Sequence, residues 1–178
     1  LTKTTESDGT DIVFTASDGT TELAYEIERF DQSTGEVIAW VKIPTVSASD
    51  NTDIYLYYKG TATSSSSSVW DSSYKLVWHL NQTSTGTVRE FSDVSDTGND
   101  GTGGGTGDMT QDEDRRPTRV EAKIGYGQSF DGPTQTANNN QGSGDYIWVN
   151  EVQSWPTGDS TVEFWTKINS GQSGLNEK

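Results

Sequence analysis

The chain has no cysteine among its 178 residues, which excludes disulfide bridges and thiolate metal sites. It has a single histidine, His79, so a tetrahedral zinc site built from nitrogen and sulfur ligands is excluded as well. Basic residues are scarce, with 12 Lys and Arg against 27 Asp and Glu and a formal net charge of -15. Phosphate backbones are held by clustered cations, and the adjacent pair Arg115-Arg116 falls short of a cluster. Nucleic acid is therefore not an expected partner, and the same charge opposes docking on anionic membranes. No apolar run is long enough to span a bilayer, so membrane insertion is not expected. A secretory leader is not visible, and one would have to precede Leu1. The acidity favours cations as ligands, or serves solubility in salty surroundings.

What is present is alternation. Leu23, Tyr25 and Ile27 fall on one face of an extended segment, with Glu22, Glu26 and Glu28 on the other. Val37, Ala39, Val41 and Ile43 repeat the pattern, with Trp40 and Lys42 opposite. Ile54 to Tyr58 is a third β-rich run. Turn chemistry separates these runs at Ser7-Asp8-Gly9, Ser17-Asp18-Gly19 and Asp31 to Gly35. Thr61 to Ser68 is a Thr/Ser tract with nothing to pack, and it predicts a linker over 63–68 between domains at 1–62 and 69–178. Tyr74 to Leu80 alternates again. A long polar stretch follows from Asn81 to Arg119, with a Gly-rich centre at 101–107. Strands are predicted near 127–130, 146–149 and 160–168, and no segment carries a helical period. The expected fold class is all-β, as two antiparallel sandwiches.

Two resemblances sharpen this. Residues 7–60, through Ser7 to Phe14, Asp18 to Glu28, Val37 to Pro44 and Ile54 to Gly60, resemble a surface module of bacterial and archaeal secreted proteins, domain of unknown function 2341. Residues 69–178 resemble the first part of a concanavalin A-like, laminin-G-type jelly roll. The carrying blocks are Val69-Trp70-Asp71, Leu76 to Leu80, Ser95 to Gly101, Ile124 to Gly132, Asp145 to Val149 and Ser160 to Trp165. The first family normally has a further strand before residue 7, and the second continues beyond Lys178. Both sandwiches are thus expected to be incomplete, with unpaired edges open to self-association. The resemblances imply an extracellular or cell-surface location and a carbohydrate or a surface protein as partner.

Candidate sites can be weighed residue by residue. Glu26 and Glu28 share a strand face roughly 7 Å apart by the strand rise, the spacing of glycosidase carboxylates. Their alternation with Tyr25 and Ile27 reads more simply as a solvated face, and the comparable strand at 160–168 has only Glu163. His79 between Trp78 and Leu80 reads as structural. No catalytic residue is assigned, and the chain is not expected to be an enzyme.

Calcium is the metal these residue types suit, because it takes hard oxygens. Asp93, Asp96, Asn99 and Asp100 share one Gly-containing loop, and Asp131 and Asp145 sit at predicted strand edges. The assigned ligands are Asp96, Asp100, Asp131 and Asp145. The loop lacks the EF-hand spacing, and Gly103-Gly104-Gly105 lacks the Lys-Ser/Thr of a phosphate loop. Trp40, Trp148, Trp155 and Trp165 offer flat faces for sugar rings, with Trp148 and Trp165 assigned as ligand-binding. Asn81-Gln82-Thr83 matches a glycosylation sequon. Three functions follow as expectations: a binding or adhesion segment, a structural subunit of an extracellular filament or envelope layer, and an accessory part of a polysaccharide-degrading enzyme.

Overall fold

A computed structural model describes residues 6–60, 69–104, 115–132, 144–149 and 156–168. Eight β-strands and no α-helix occur among them, so the all-β class holds. The strands form four two-stranded antiparallel ribbons. The chain divides into two compact units, Leu1–Val77 with Val94–Asp96, and Trp78–Asp93 with Thr97–Lys178.

In the first unit β1 (Val13–Ala16) pairs with β4 (Ile54–Tyr57), and β2 (Tyr25–Asp31) pairs with β3 (Glu36–Val41). Ile12, Phe14, Leu23 and Tyr25 form the buried core, with Ile27, Phe30, Val37, Ala39 and Val41 packed against it. The predicted inward faces of β2 and β3 are thus the core faces. Tyr25 anchors the packing with its hydroxyl, which donates to the Ile12 carbonyl at 2.6 Å, and its ring lies 5.3 Å from that of Phe14.

A β-bulge falls between Ile27 and Arg29. Strict alternation from Tyr25 would turn Arg29 inward and Phe30 outward. The extra residue, Glu28, resets the phase so that Phe30 pairs with Val37 over the core. Arg29 then bridges Glu36 at 3.4 Å. Asx turns begin or end these strands. Asp18 Oδ1 accepts the amides of Thr20 and Thr21 at 2.9 and 2.8 Å, and Gly19 supplies the left-handed backbone at φ 74.

In the second unit β5 (Thr102–Gly103) pairs with β8 (Ile147–Trp148), and β6 (Thr118–Glu121) pairs with β7 (Tyr126–Ser129). The strands predicted near 127–130 and 146–149 are present as β7 and β8. Two others are not. Tyr74 to Leu80 has no ladder among the described residues, and its backbone is tied instead by Val94 N donating to Val77 O at 3.0 Å. Ser160 to Ile168 also has no ladder there, and Val162, Phe164 and Trp165 are each more than 70% exposed. Alternation shows only that a segment suits a sheet, and a strand needs a partner as well. The Thr/Ser tract at 61–68, Gly105 to Gly107 and Trp155 lie outside the described residues.

Candidate functional site

The richest cluster of polar and aromatic side chains in the first unit lies on the β2–β3 ribbon, opposite the core. Residues directly across a ladder share a face, so Glu26 and Trp40, which are register partners, stand together. Glu28, displaced by the bulge, accepts the indole N–H of Trp40 at 2.7 Å. Glu26 accepts the indole N–H of Trp70 at 2.7 Å. The rings of Trp40 and Trp70 are tilted by 57° with centroids 5.3 Å apart. Tyr74 meets Trp70 edge-on at 5.1 Å.

Residues 69–74 are held on this face by a turn. Asp71 accepts Ser73 N at 3.1 Å, and Tyr74 N donates to Asp71 O at 3.0 Å. Lys42 Nζ lies 3.3 Å from Asp71 Oδ2. The Ser73 hydroxyl and amide, joined by Lys42, hold the Asp71 carboxyl below the ordinary value. The outcome is a shelf of three aromatic rings, two of them indoles whose N–H groups are fixed by two carboxylates. Trp40 and Trp70 are half-buried, and Tyr74 is 44% exposed.

Such a shelf offers apolar ring surface together with acceptors, a combination suited to a ligand with both C–H faces and hydroxyls. The predicted solvated face of Glu26 and Glu28 is therefore a half-buried, hydrogen-bonded one. Trp70 and Tyr74 were not legible as members. Only the docking of residues 69–74 brings them to the ribbon.

In the second unit a different carboxylate organises the long polar stretch. Glu90 accepts the Ser84 hydroxyl at 2.6 Å, the Thr85 amide at 2.7 Å, the Thr87 amide at 3.1 Å and the Gly103 amide at 3.2 Å. Burial pushes its carboxyl up, but the donors of Ser84, Thr85 and Gly103 together outweigh burial and hold it below the ordinary value. A side chain at Gly103 would collide with the Ser84 hydroxyl and with Glu90. Nothing in the local sequence marks Glu90, because its donors are ordinary Ser, Thr and Gly.

The assigned calcium ligands fall in two places. Asp93 Oδ2 accepts the Thr97 hydroxyl at 2.8 Å and the Asn99 amide at 2.9 Å, while Asp100 Oδ1 accepts the Asp93 amide at 2.8 Å. Asp96 is exposed. Asp145 Oδ2 accepts the Asp131 amide at 2.8 Å, and Asp145 N donates to Asp131 O at 3.0 Å. The carboxylates of Asp93, Asp100 and Asp145 act as turn and bridge acceptors. Among the described residues no three His, Cys, Asp or Glu side chains gather to hold a metal. A calcium ion at either place would need further oxygens from main chain or water.

Trp148 sits in β8 opposite Thr102 and is 40% exposed. Trp165 is 71% exposed, with Lys123 Nζ 6.0 Å from its ring centroid. His79 is half-buried.

Comparison with known proteins gives one match. The family model described as domain of unknown function (DUF2341) matches residues 8–102. That range includes β1 to β4 and the whole aromatic shelf, and it runs through the Thr/Ser tract to β5. No curated protein and no solved structure matches the chain.

Proposed function

The chain belongs to the DUF2341 family, and from that premise we propose that it is a non-catalytic binding or adhesion segment of a secreted or cell-surface protein, with carbohydrate as its ligand. The observation that carries this reading is the shelf of Trp40, Trp70 and Tyr74, with the indoles locked on Glu28 and Glu26. A pyranose stacks its C–H face on an aromatic ring and spends its hydroxyls on acceptors fixed nearby. Holding the indoles in place before the ligand arrives lowers the ordering cost of binding. The acidic surface disfavours polyanionic glycans, so the ligand is neutral or cationic.

For the second unit we propose the concanavalin A-like, laminin-G-type jelly roll, and for both units a sandwich. The support is the order of the sequence blocks Ile124 to Gly132, Asp145 to Val149 and Ser160 to Trp165, together with the antiparallel pairs β5–β8 and β6–β7. Trp148 and Trp165 are then the exposed aromatic residues of that unit proposed to meet ligand.

A glycan array followed by calorimetry on the full chain tests the binding proposal. Tyr74→Ala is expected to weaken the best hit about tenfold, which corresponds to ~1.4 kcal/mol. Trp165→Ala separates the two surfaces. An array without hits, or a hit indifferent to both substitutions, overturns the carbohydrate reading.

A further inference from the structure

The outer edge of β4 is built to accept a strand, and the geometry points to β4 of a second copy as the occupant. In an antiparallel ladder alternate residues turn their N–H and C=O groups to opposite sides. Phe14 O accepts Leu23 N at 2.9 Å, and Ala16 N donates to Thr21 O at 2.8 Å. The main-chain groups of Phe14 and Ala16 therefore serve the 21–23 side, and those of Val13 and Thr15 serve β4. Their register partners Tyr57 and Tyr55 turn inward to β1. Ile54 and Leu56 turn their N–H and C=O groups outward, where no strand among the described residues pairs with them.

The side chains are equally open. Ile54 and Leu56 are each 37% exposed, Tyr55 and Tyr57 each 47%, and Tyr58 45%. Leu56 stands opposite the core residue Phe14, and Ile54 opposite Ala16, so the core-side face of β4 is apolar and unfinished. An edge of this kind, uncharged from Ile54 to Tyr58, lacks the charges that usually discourage pairing.

Charge and symmetry select the partner and the register. Exposed Asp53 and Lys59 flank the uncharged run. A two-fold axis perpendicular to the sheet leaves Ile54 and Leu56 of both copies on the core-side face. With the axis at Leu56, the outward groups of Leu56 meet those of the second Leu56, and Ile54 meets Tyr58. Asp53 of each copy then faces Lys59 of the other. Shifting by two residues either way places Asp53 or Lys59 opposite tyrosine and loses both ion pairs. Tyr55 faces Tyr57 across the seam, an aromatic cross-strand pair. The backbone of Lys59 turns left-handed at φ 65, which limits the new ladder to Ile54 through Tyr58. Two copies of net charge -15 repel, so the pairing is weak in dilute buffer and strengthens with salt.

Sedimentation of the full chain over a concentration series reads this out. The expected result is a monomer–dimer equilibrium about tenfold tighter at ~1 M than at ~0.1 M NaCl, as the screening length falls from about 10 to about 3 Å. Asp53→Lys should loosen the dimer despite reducing the repulsion, and adding Lys59→Asp should restore it. Because the chain has no cysteine, L56C introduces a single thiol. Its two copies would have Cα atoms about 5.5 Å apart, within bridging range. The I54C thiols would lie about 13 Å apart and should not bridge. A monomer under all conditions overturns the proposal, as does equal cross-linking of L56C and I54C. Protection of the Leu56 amide from hydrogen exchange at every concentration would place the chain's own segment on this edge, and overturns it too.

Discussion

Single carboxylates carry much of the local order. Glu90 gathers main-chain donors from Thr85, Thr87 and Gly103 around one side chain. Glu90→Ala leaves these donors without their acceptor and is expected to lower stability by about 2 kcal/mol, measured by urea unfolding. Gly103→Ala, which drives a methyl into the Ser84 hydroxyl and Glu90, is expected to cost about 1–3 kcal/mol by overpacking.

Asp18 gives a pH signature. The Thr21 hydroxyl and amide, with the Thr20 amide, lower its carboxyl from 3.8 to about 2. A lowered carboxylate contributes stability that is complete above its unfolded value and is lost as pH falls through the folded one. Melting temperature should therefore fall from pH 3.8 to about 2, and Asp18→Asn should flatten that fall. An unchanged acid slope in the variant would show that other carboxylates dominate. Asp8 and Asp31 are lowered by the same kind of side-chain and main-chain donors, from Thr10 and from Ser33 and Thr34.

The β2–β3 ribbon shows how far alternation reaches. The pattern in residues 22–28 and 37–43 is enough to assign Tyr25, Ile27, Val37, Ala39 and Val41 to the core, and these residues pack there. Placing Phe30 required knowing the bulge at Glu28, which period 2 cannot express. The docking of residues 69–74 was equally hidden. It depends on Trp70 meeting Glu26 across 44 residues of sequence. Trp70→Phe keeps a ring on the shelf but removes that hydrogen bond. It is expected to cost about 1 kcal/mol and to loosen the 69–74 turn, read by hydrogen exchange at the Ser73 and Tyr74 amides. Trp70→Ala should undock the turn. Unchanged exchange in both variants would mean that Asp71 and Lys42 alone hold it.

Across the full chain, charge sets the conditions for stability. At -15 the chain repels itself, and solvent-screened surface pairs such as Arg29–Glu36 and Lys42–Asp71 offset little of that repulsion. Added NaCl should raise the melting temperature, because screening relieves many repulsions and weakens few attractions. A fall with salt would make the ion pairs the larger effect.

The all-β class, the inward residues of β2 and β3 and the Asx turns followed from the order of residues alone. Each depends on interactions within a few positions: side-chain alternation along a strand, or an Asp side chain reaching the next amides. The aromatic shelf, the donors gathered by Glu90, the open edge of β4 and the lack of a ladder at 74–80 among the described residues were decided by the fold. These depend on which distant segments meet, and neither the bulge at Glu28 nor the contact between Trp70 and Glu26 leaves a trace in the spacing of residues along the chain.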